Sequence, residues 1–349
     1  MSQWRLDWPT SGGGRVASGR LKTAPGDFIV DEVLEFPESG SDLRADAIPG
    51  VGEHLCVKLE KVGDNTEYVA RELARMAGCR NFDVGFCGLK DRHAVTRQWF
   101  SLYRPGCEAQ DAALIDEIAV RWPVLAASRQ ARKLRRGEHS GNGFVITLRA
   151  VTGEREVIDR ALVRLADIGA PNYFGPQRFG NGGANLDRAV HLDPATLNRR
   201  NRSGGKGRGG KKRAGSDGSK NVLYFSAARS WLFNEVLAAR VSDGSWAEAG
   251  ATGPLWGDGG TTASGALEAL ERDVVAQTPG LASLFSVTRM KPERRPLAVK
   301  PDRLAWRWLA EDTLELTFFL SPGQYATTIL SDIFELEDMS LSRHNEQQG

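Results

Sequence analysis

The chain has 349 residues, 41% of them hydrophobic and 26% charged, which is typical of a globular protein with room for two domains. No apolar run is long enough to cross a bilayer, and the first ten residues lack the pattern of an export signal. The four cysteines form no C-x-x-C pair, which argues against a zinc or redox motif and favours free thiols in a cytoplasmic protein.

The net charge of +2 conceals one strongly basic tract. Eight arginines and lysines lie between Arg199 and Arg213 without an acid, and the rest of the chain would carry −6 without them. A second basic cluster contains Arg129, Arg132, Lys133, Arg135 and Arg136. Either group could contact nucleic acid, or could be a solvated insertion or turn.

The first half of the chain predicts strands alternating with helices. Apolar alternation predicts strands at 28–33, 54–59, 82–86, 95–103 and 144–148. Asn65 or Thr66 is a candidate cap for a helix that carries Val69, Leu73 and Met76 on one face. A second amphipathic helix is predicted at 157–168.

After Gly169 the sequence becomes rich in glycine. We expect a flexible basic loop at 198–220, since its composition is too polar to bury a core. The remaining predictions are a helix at 227–241, a loop at 250–265, a strand at 314–320 and a helix at 324–334.

Two glycine patterns in the basic tract imitate nucleotide-binding motifs. Gly205, Gly207 and Gly210 match G-x-G-x-x-G, and Gly205, Gly210 and Lys211 match a P-loop as far as its lysine. Neither has the flanking strand and helix that phosphate binding requires, and Lys212 occupies the place of the magnesium-binding Ser or Thr. The five histidines show no ligand spacing, so the residues predict neither a metal nor a cofactor.

The loop at 88–93 places Asp91 between Lys90 and Arg92, after Gly88. Neighbouring cations keep a carboxylate ionised. Taken alone, this pattern is also typical of a solvated turn.

Five ordered stretches resemble the TruD family, tRNA pseudouridine synthase D. The segment FCGLKDRHAVTRQW at 86–99 resembles the family's active-site motif, and LKTAPGDF at 21–28 its N-terminal strand. GNGF at 141–144, PNYFGPQRFG at 171–180 and PGQYAT at 322–327 are similar to later elements. Two features depart from the family pattern: Tyr325 replaces the expected phenylalanine, and the basic tract is longer.

The resemblance implies that the chain isomerises a uridine of tRNA, U13, to pseudouridine without metal, redox cofactor or ATP. It assigns Asp91 as the nucleophile, which could attack the sugar or the base. Phe28, Asn142 and Tyr325 correspond to substrate-contacting residues. Lys22 and Phe144 are expected as neighbours, although an aromatic residue at such positions can equally belong to the core.

The implied fold class is α/β, an α+β mixed sheet flanked by helices. The pseudouridine synthase catalytic core would comprise 1–168 and 312–349, and an inserted α/β TRUD domain would comprise 169–311. tRNA, the one expected partner, would lie in a positive cleft between them. The RNA backbone would contact cations of the two basic groups, namely Arg132, Lys133, Arg135, Arg136, Lys211 and Lys212.

Two other functions remain open on the sequence. An RNA base glycosidase would also use a carboxylate and a base removed from its stack. A non-catalytic RNA-binding chaperone would use the basic tract and the aromatic residues without Asp91. We expect no membrane association and no obligate protein partner.

Overall fold

A computed structural model describes residues 4–36, 48–192, 215–286, 288 and 290–340, without the side chains of 215–220. The chain divides into two compact units. The first, called the sheet unit, comprises Ala17–Arg155, Pro301–Gln324 and Phe334–Gly349. The second, called the helix-rich unit, comprises Met1–Val16, Glu156–Lys300 and Tyr325–Ile333.

The strands and helices of the described residues are numbered here along the chain. The strands are β1 Ala17–Leu21, β2 Phe28–Val33, β3 His54–Val62, β4 Gly85–Phe86, β5 Val95–Tyr103, β6 Val124–Gln130, β7 Gly141–Thr152, β8 Ala170–Pro171, β9 Thr252–Leu255, β10 Glu293–Pro296, β11 Ala298–Val299, β12 Asp302–Ala310, β13 Thr313–Leu320 and β14 Phe334–Asp338. The α-helices are α1 Thr66–Ala77, α2 Asp111–Ala119, α3 Arg155–Ile168, α4 Ala184–Val190, α5 Gly215–Ser242, α6 Gly265–Ala276, α7 Pro279–Ala282 and α8 Ala326–Leu330.

The sheet unit is built on one mixed sheet, to which the described residues contribute ten strands. Seven of them follow in the order β12-β13-β7-β2-β5-β3-β6, while β1 joins β7 and β14, and β4 joins β5. The pairs β2–β5 and β1–β14 are parallel, and the other pairs are antiparallel. The expected mixed α/β sheet is therefore confirmed.

Helix α1 illustrates how the local sequence fixes an element. Asn65 caps it by accepting the N–H of Tyr68 at 2.8 Å, and Gly78 ends it in the left-handed conformation with φ of 66°. Val69 and Leu73 are fully buried and pack on sheet residues such as Phe100. The predicted cap and apolar face are both confirmed.

The helix-rich unit is organised around the long helix α5. Phe225, Leu232 and Val236 of α5 are buried against Phe179 and Leu186. Two small antiparallel pairs, β9–β10 and β8–β11, complete the unit.

The unit boundaries differ from the expected limits at 168 and 312. The N-terminal segment joins the helix-rich unit, where Trp8 contacts the rings of Tyr173 and Phe179, each at a centroid distance of 5.6 Å. Residues 156–168 and 325–333 also belong to that unit. The segment 301–311 joins the sheet unit instead, because β12 pairs with β13.

Several predicted elements are wrong at their ends. Residues 81–83 form a 3-10 turn, so only 85–86 of the predicted strand 82–86 pair in the sheet. Residues 215–220 begin α5 rather than ending the predicted loop, because packing of the helix interior outweighs weak local propensity. The rest of that basic loop, 198–214, lies outside the described residues.

Two further predictions fail in the C-terminal half. The predicted loop 250–265 contains β9, whose partner β10 lies almost forty residues later. The predicted helix 324–334 shrinks to α8, and Phe334 begins β14. Within the described part of the chain, no helix is both long enough and apolar enough to cross a lipid bilayer.

Lys61 is a buried cation in the sheet unit. Its side chain is only 2% exposed, and Nζ donates to the Asp64 carbonyl at 2.8 Å. Burial lowers the pKa of Lys61 from its usual value near 10.5 to about 8, although the carboxylates of Asp64 and Asp91 oppose this shift. Below pH 8 the folded protein therefore holds a poorly solvated ammonium.

We expect Lys61→Met to raise the melting temperature at pH 7. The unfolded chain binds the Lys61 proton more tightly, so the cost of burying the charge is full below pH 8 and fades as the pH rises toward 10.5. At about 1.4 kcal/mol per pKa unit, that cost is on the order of 3 kcal/mol. Thermal unfolding of the parent and of Lys61→Met between pH 7 and 10 measures the difference in melting temperature, which should become small near pH 10.

Lys58→Met is the matched control, since Lys58 lies on the same strand and pairs with Asp31 at 2.5 Å. Loss of that ion pair should not raise the melting temperature at pH 7. A lower melting temperature for Lys61→Met at pH 7 would mean that its polar contacts outweigh the cost of burial.

Candidate active site

The loop Gly88–His93, called the Asp91 loop, is tied down by backbone hydrogen bonds. Its Gly88 carbonyl accepts from Gln98 Nε2 at 2.6 Å, and its Lys90 N–H donates to Thr66 Oγ1 at 3.0 Å. The Arg92 carbonyl accepts from the Gly63 N–H at 3.0 Å. The loop is therefore held at its start, middle and end.

Thr66 and Gln98 act together beneath the loop. Both residues are at most 1% exposed, and Thr66 Oγ1 donates to Gln98 Oε1 at 3.0 Å. This bond orients the Gln98 amide so that its nitrogen faces Gly88. A hydroxyl that both donates and accepts is required at position 66 for this arrangement.

A buried ion pair fixes the side chain of Lys90. Lys90 Nζ contacts Glu32 Oε2, and the two side chains are 7% and 0% exposed. The other Glu32 oxygen accepts the Trp99 N–H at 3.2 Å. The satisfied pair directs Lys90 into the protein, although the sequence pattern suggested a cation flanking Asp91.

The Asp91 carboxylate is paired and one-third exposed. Its Oδ2 lies 2.7 Å from Lys22 Nζ, and its Oδ1 accepts the His93 N–H at 2.9 Å. Burial alone would raise the pKa of Asp91, but these two hydrogen bonds and the Lys22 charge outweigh it and lower the pKa below its usual value. Asp91 is therefore an ionised carboxylate that remains accessible.

Lys22 bridges two carboxylates. It follows the last residue of β1 with a left-handed φ of 57°, a strained conformation for a lysine. Its Nζ lies 2.9 Å from Asp338 Oδ2, since parallel pairing puts Leu21 opposite Asp338. Burial acts to lower the pKa of Lys22, but its bonds to Asp91 and Asp338 raise it overall, so Lys22 stays charged.

A row of aromatic rings begins beside Lys22. Lys22 Nζ lies 5.1 Å from the centroid of Phe28, whose ring meets that of Phe144 edge-on at 6.1 Å. Phe144 stacks on Phe318 at 5.4 Å. Phe28 and Phe144 are 6% and 8% exposed, so they form a largely apolar wall.

Asn142 lies on the same face of the sheet as Phe144, two residues away on β7. Its Nδ2 is 3.3 Å from His139 Nε2, while Asn142 Oδ1 is buried and has no hydrogen-bond partner among the described residues. Burial lowers the pKa of His139, which favours the neutral imidazole. Asn142 therefore carries an unused buried acceptor.

Tyr325 belongs to the helix-rich unit, and the other five expected site residues belong to the sheet unit. It precedes α8 and is 45% exposed. Its assignment as a substrate residue rests on the sequence resemblance.

The residues of the second basic cluster have different environments. Arg129 is 3% exposed and pairs with Asp111 at 2.6 Å, so it does not belong to a basic surface. Arg132 contacts Glu138 at 3.3 Å, Lys133 contacts the Phe82 carbonyl, and Arg136 lies 4.3 Å from the Phe86 ring centroid. Arg135 is exposed, and Lys211 and Lys212 lie outside the described residues.

The sequence prediction did not include Asp338, Thr66, Gln98 or His139 among the site residues. Gln98 gave no distinct signal, because it directly follows Thr96 and Arg97 in β5. Asp338 gave no local signal, because its relation to Lys22 comes from strand pairing across more than 300 residues.

We expect Lys22→Met to raise the pKa of Asp91. The substitution removes the nearest cation and leaves the carboxylate half-buried, with the His93 N–H as its remaining bond among the described residues. Carbon-13 NMR titration of the aspartate carboxyl groups, assigned with Asp91→Asn, measures the change.

Arg20→Met provides the control, since Arg20 lies on the same strand and pairs with Glu337 at 2.9 Å. It should leave the Asp91 titration unaltered. The role given to Lys22 is wrong if Asp91 titrates identically in the Lys22→Met protein.

Known proteins resemble this chain over most of its length. A family profile described as tRNA pseudouridine synthase D (TruD) matches residues 12–186. A protein of that name from Marinobacter nauticus is 63% identical over 357 residues, which cover 99% of each chain. Another from Pseudomonas putida KT2440 is 36% identical over 96% of this chain and 97% of its own.

A solved structure agrees at the level of the fold. The crystal structure of a Methanosarcina mazei protein, assigned as tRNA pseudouridine synthase D (TruD), has a TM-score of 0.64 at 19% identity. The match covers 95% of each chain. The sequence matches confirm the resemblance drawn from the five motifs: the chain belongs to the tRNA pseudouridine synthase D (TruD) family.

Proposed function

We propose that this tRNA pseudouridine synthase isomerises U13 of tRNA, with Asp91 as its nucleophile. Membership of an isomerase family supplies the reaction class. The observation that carries the residue assignment is the ionised Asp91 carboxylate beside Lys22, on a loop fixed by three backbone hydrogen bonds. A nucleophile needs this combination of charge, access and fixed position.

The reaction breaks the bond between C1′ and N1 of the uridine and joins C1′ to C5. A carboxylate that bonds temporarily to the sugar or the base divides this exchange into two easier steps. The proton on C5 leaves at the end and the released N1 gains one, so the product has the mass of the substrate. Attack on either atom begins with an ionised Asp91.

Lys22 would keep Asp91 ready for attack. Once the carboxylate has formed a covalent bond it loses its charge, and a buried ammonium with no other partner would then be costly. Asp338 would remove this difficulty, because it pairs with Lys22 at 2.9 Å independently of Asp91. Asp338 would therefore keep Lys22 paired both when Asp91 is a free carboxylate and when it is covalently bonded.

The base would lie against Phe28 and Phe144 and would be recognised by Asn142. An apolar wall tolerates rotation of a flat ring, which the exchange of N1 for C5 requires. Asn142 Oδ1 is a buried acceptor without a donor among the described residues. An N–H of the uracil ring would donate to it, so binding of the base would remove the free-energy cost of a buried acceptor without a hydrogen bond.

The remaining assignments follow from the family. The sheet unit would be the pseudouridine synthase core, and the helix-rich unit would contain the TRUD domain. Tyr325 would supply an aromatic ring where the family has phenylalanine. Arg132, Lys133, Arg135, Arg136, Lys211 and Lys212 would contact RNA phosphates.

Asp91→Asn should reduce pseudouridine formation at position 13 of host tRNA at least about a thousand-fold, because a covalent catalyst is lost. tRNA affinity should stay within a few-fold, since phosphate contacts supply most of the binding. Single-turnover assays with pseudouridine mapping measure the first effect, and filter binding measures the second.

Asp83→Asn is a matched control that breaks a surface pair with Arg80 of 2.8 Å. It should retain the parent rate. Substantial turnover by Asp91→Asn would rule out Asp91 as nucleophile, and modification at another uridine would rule out U13. Release of free uracil would identify a glycosidase, and RNA binding without any modification by the parent would identify a chaperone.

Thr66→Val should lower kcat about 10- to 100-fold with little change in KM. Valine keeps the shape but removes the hydroxyl that holds Lys90 N–H and Gln98, and small displacements of a reacting group have effects of this size. Steady-state kinetics on tRNA measure kcat and KM separately, and melting curves verify that the variant folds.

Thr66→Ser retains the hydroxyl and should stay within a few-fold of the parent. Equal losses for serine and valine would show that the methyl group at position 66 matters, and not the hydrogen bonds.

A further inference from the structure

Two arginines of the helix-rich unit lie against one aromatic ring. The guanidinium carbon of Arg295 is 4.3 Å from the centroid of Phe174, and that of Arg178 is 5.6 Å from it. Arg178 belongs to the PNYFGPQRFG segment, and Arg295 lies on β10. Residues from distant parts of the chain thus place two cations around Phe174.

Neither cation has a carboxylate partner among the described residues. Arg178 donates to the hydroxyls of Ser226 at 2.6 Å and Ser230 at 3.4 Å. Arg295 donates to Asn172 Oδ1 at 2.6 Å, and its Nε is buried without a partner in the described part of the chain. By contrast, the strand neighbour of Arg295, Arg294, pairs with Glu271 at 2.7 Å.

This arrangement is electrostatically unfavourable when nothing is bound. Burial lowers the pKa of the Arg295 guanidinium, Tyr325 opposes that shift, and the like charge of Arg178 adds to it. Two adjacent cations without a counter-charge attract an anion.

The scaffold around Phe174 is fixed by buried amides. Asn234 is 0% exposed; its Oδ1 accepts the Phe174 N–H and its Nδ2 donates to the Phe174 carbonyl, both at 2.9 Å. Asn172 donates to the Pro296 carbonyl at 2.9 Å, next to Arg295. These hydrogen bonds fix the backbone that carries Phe174 and Arg295, and a binding site needs side chains held in position in this way.

We propose that Arg178 and Arg295 together bind a phosphate group of the RNA substrate. The proposal rests on the proposed function, which makes the ligand a polyanion. Guanidinium groups present forked N–H donors that match phosphate oxygens, and Arg178 and Arg295 each use only some of theirs within the described residues. Neutral contacts to serine and asparagine leave the charge of both groups available.

The test measures how tRNA binding depends on salt. Equilibrium binding is measured with Asp91→Asn protein, which excludes turnover, with and without the double substitution Arg178→Gln and Arg295→Gln. If one phosphate is lost, affinity should fall about 10-fold or more, and the slope of log affinity against log salt should become shallower by about 0.7–0.9. An unchanged slope overturns the proposal.

Two further variants make the result specific. Arg272→Gln removes an arginine of the same unit that already pairs with Glu268 at 2.8 Å, and it should change neither affinity nor slope. Arg178→Lys keeps the charge but not the fork, so it should preserve the slope and weaken binding a few-fold. If the double variant does not fold, the tRNA affinity of Arg178→Lys still tests the proposal, and parent-like affinity would overturn it.

Inorganic phosphate distinguishes RNA from a free anion as the ligand. Phosphate should raise the melting temperature of the parent more than chloride at equal ionic strength, and the double variant should lose this effect. Phosphate stabilisation combined with an unchanged tRNA salt slope would assign the site to a free anion and overturn the RNA contact. The salt slope does not depend on which residue is the nucleophile, so it fails or succeeds independently of the Asp91→Asn rate assay.

Discussion

The position of the Lys22 ammonium between Asp91 and Asp338 is the constraint on which the candidate site depends. Its distances of 2.7 and 2.9 Å link the Asp91 loop to the ends of two parallel strands, β1 and β14. The ammonium keeps Asp91 ionised although the carboxylate is half-buried. A positive φ at Lys22 is tolerated because both ion pairs hold the side chain in place.

The rest of the sheet unit supports this arrangement by satisfying buried polar groups. Glu32, Thr66 and Gln98 are at most 1% exposed, and each bonds to the Asp91 loop or its flanking strand. An apolar core would give the loop nothing directional to bind. The helix-rich unit uses buried amides in the same way, with Asn234 fixing Phe174.

The sequence was sufficient to predict those elements that depend on residues close together in the chain. Strands β2 and β5, the Asn65 cap of α1 and the loop around Asp91 all follow from nearby residues. It was insufficient where the partner is distant: Asp111 takes Arg129 away from the surface, and Asp338 reaches Lys22 through strand pairing. The start of α5 at Gly215 was also hidden, because residues 215–220 have poor helical propensity.

The parallel pairing of β1 with β14 has a consequence for synthesis of the protein. Lys22 and Asp91 leave the ribosome long before Asp338 is made. Before β14 is made, a nascent chain cannot pair Lys22 with both Asp91 and Asp338, however well its first strands have folded. A translation product that stops before β14 therefore lacks one carboxylate of its own centre.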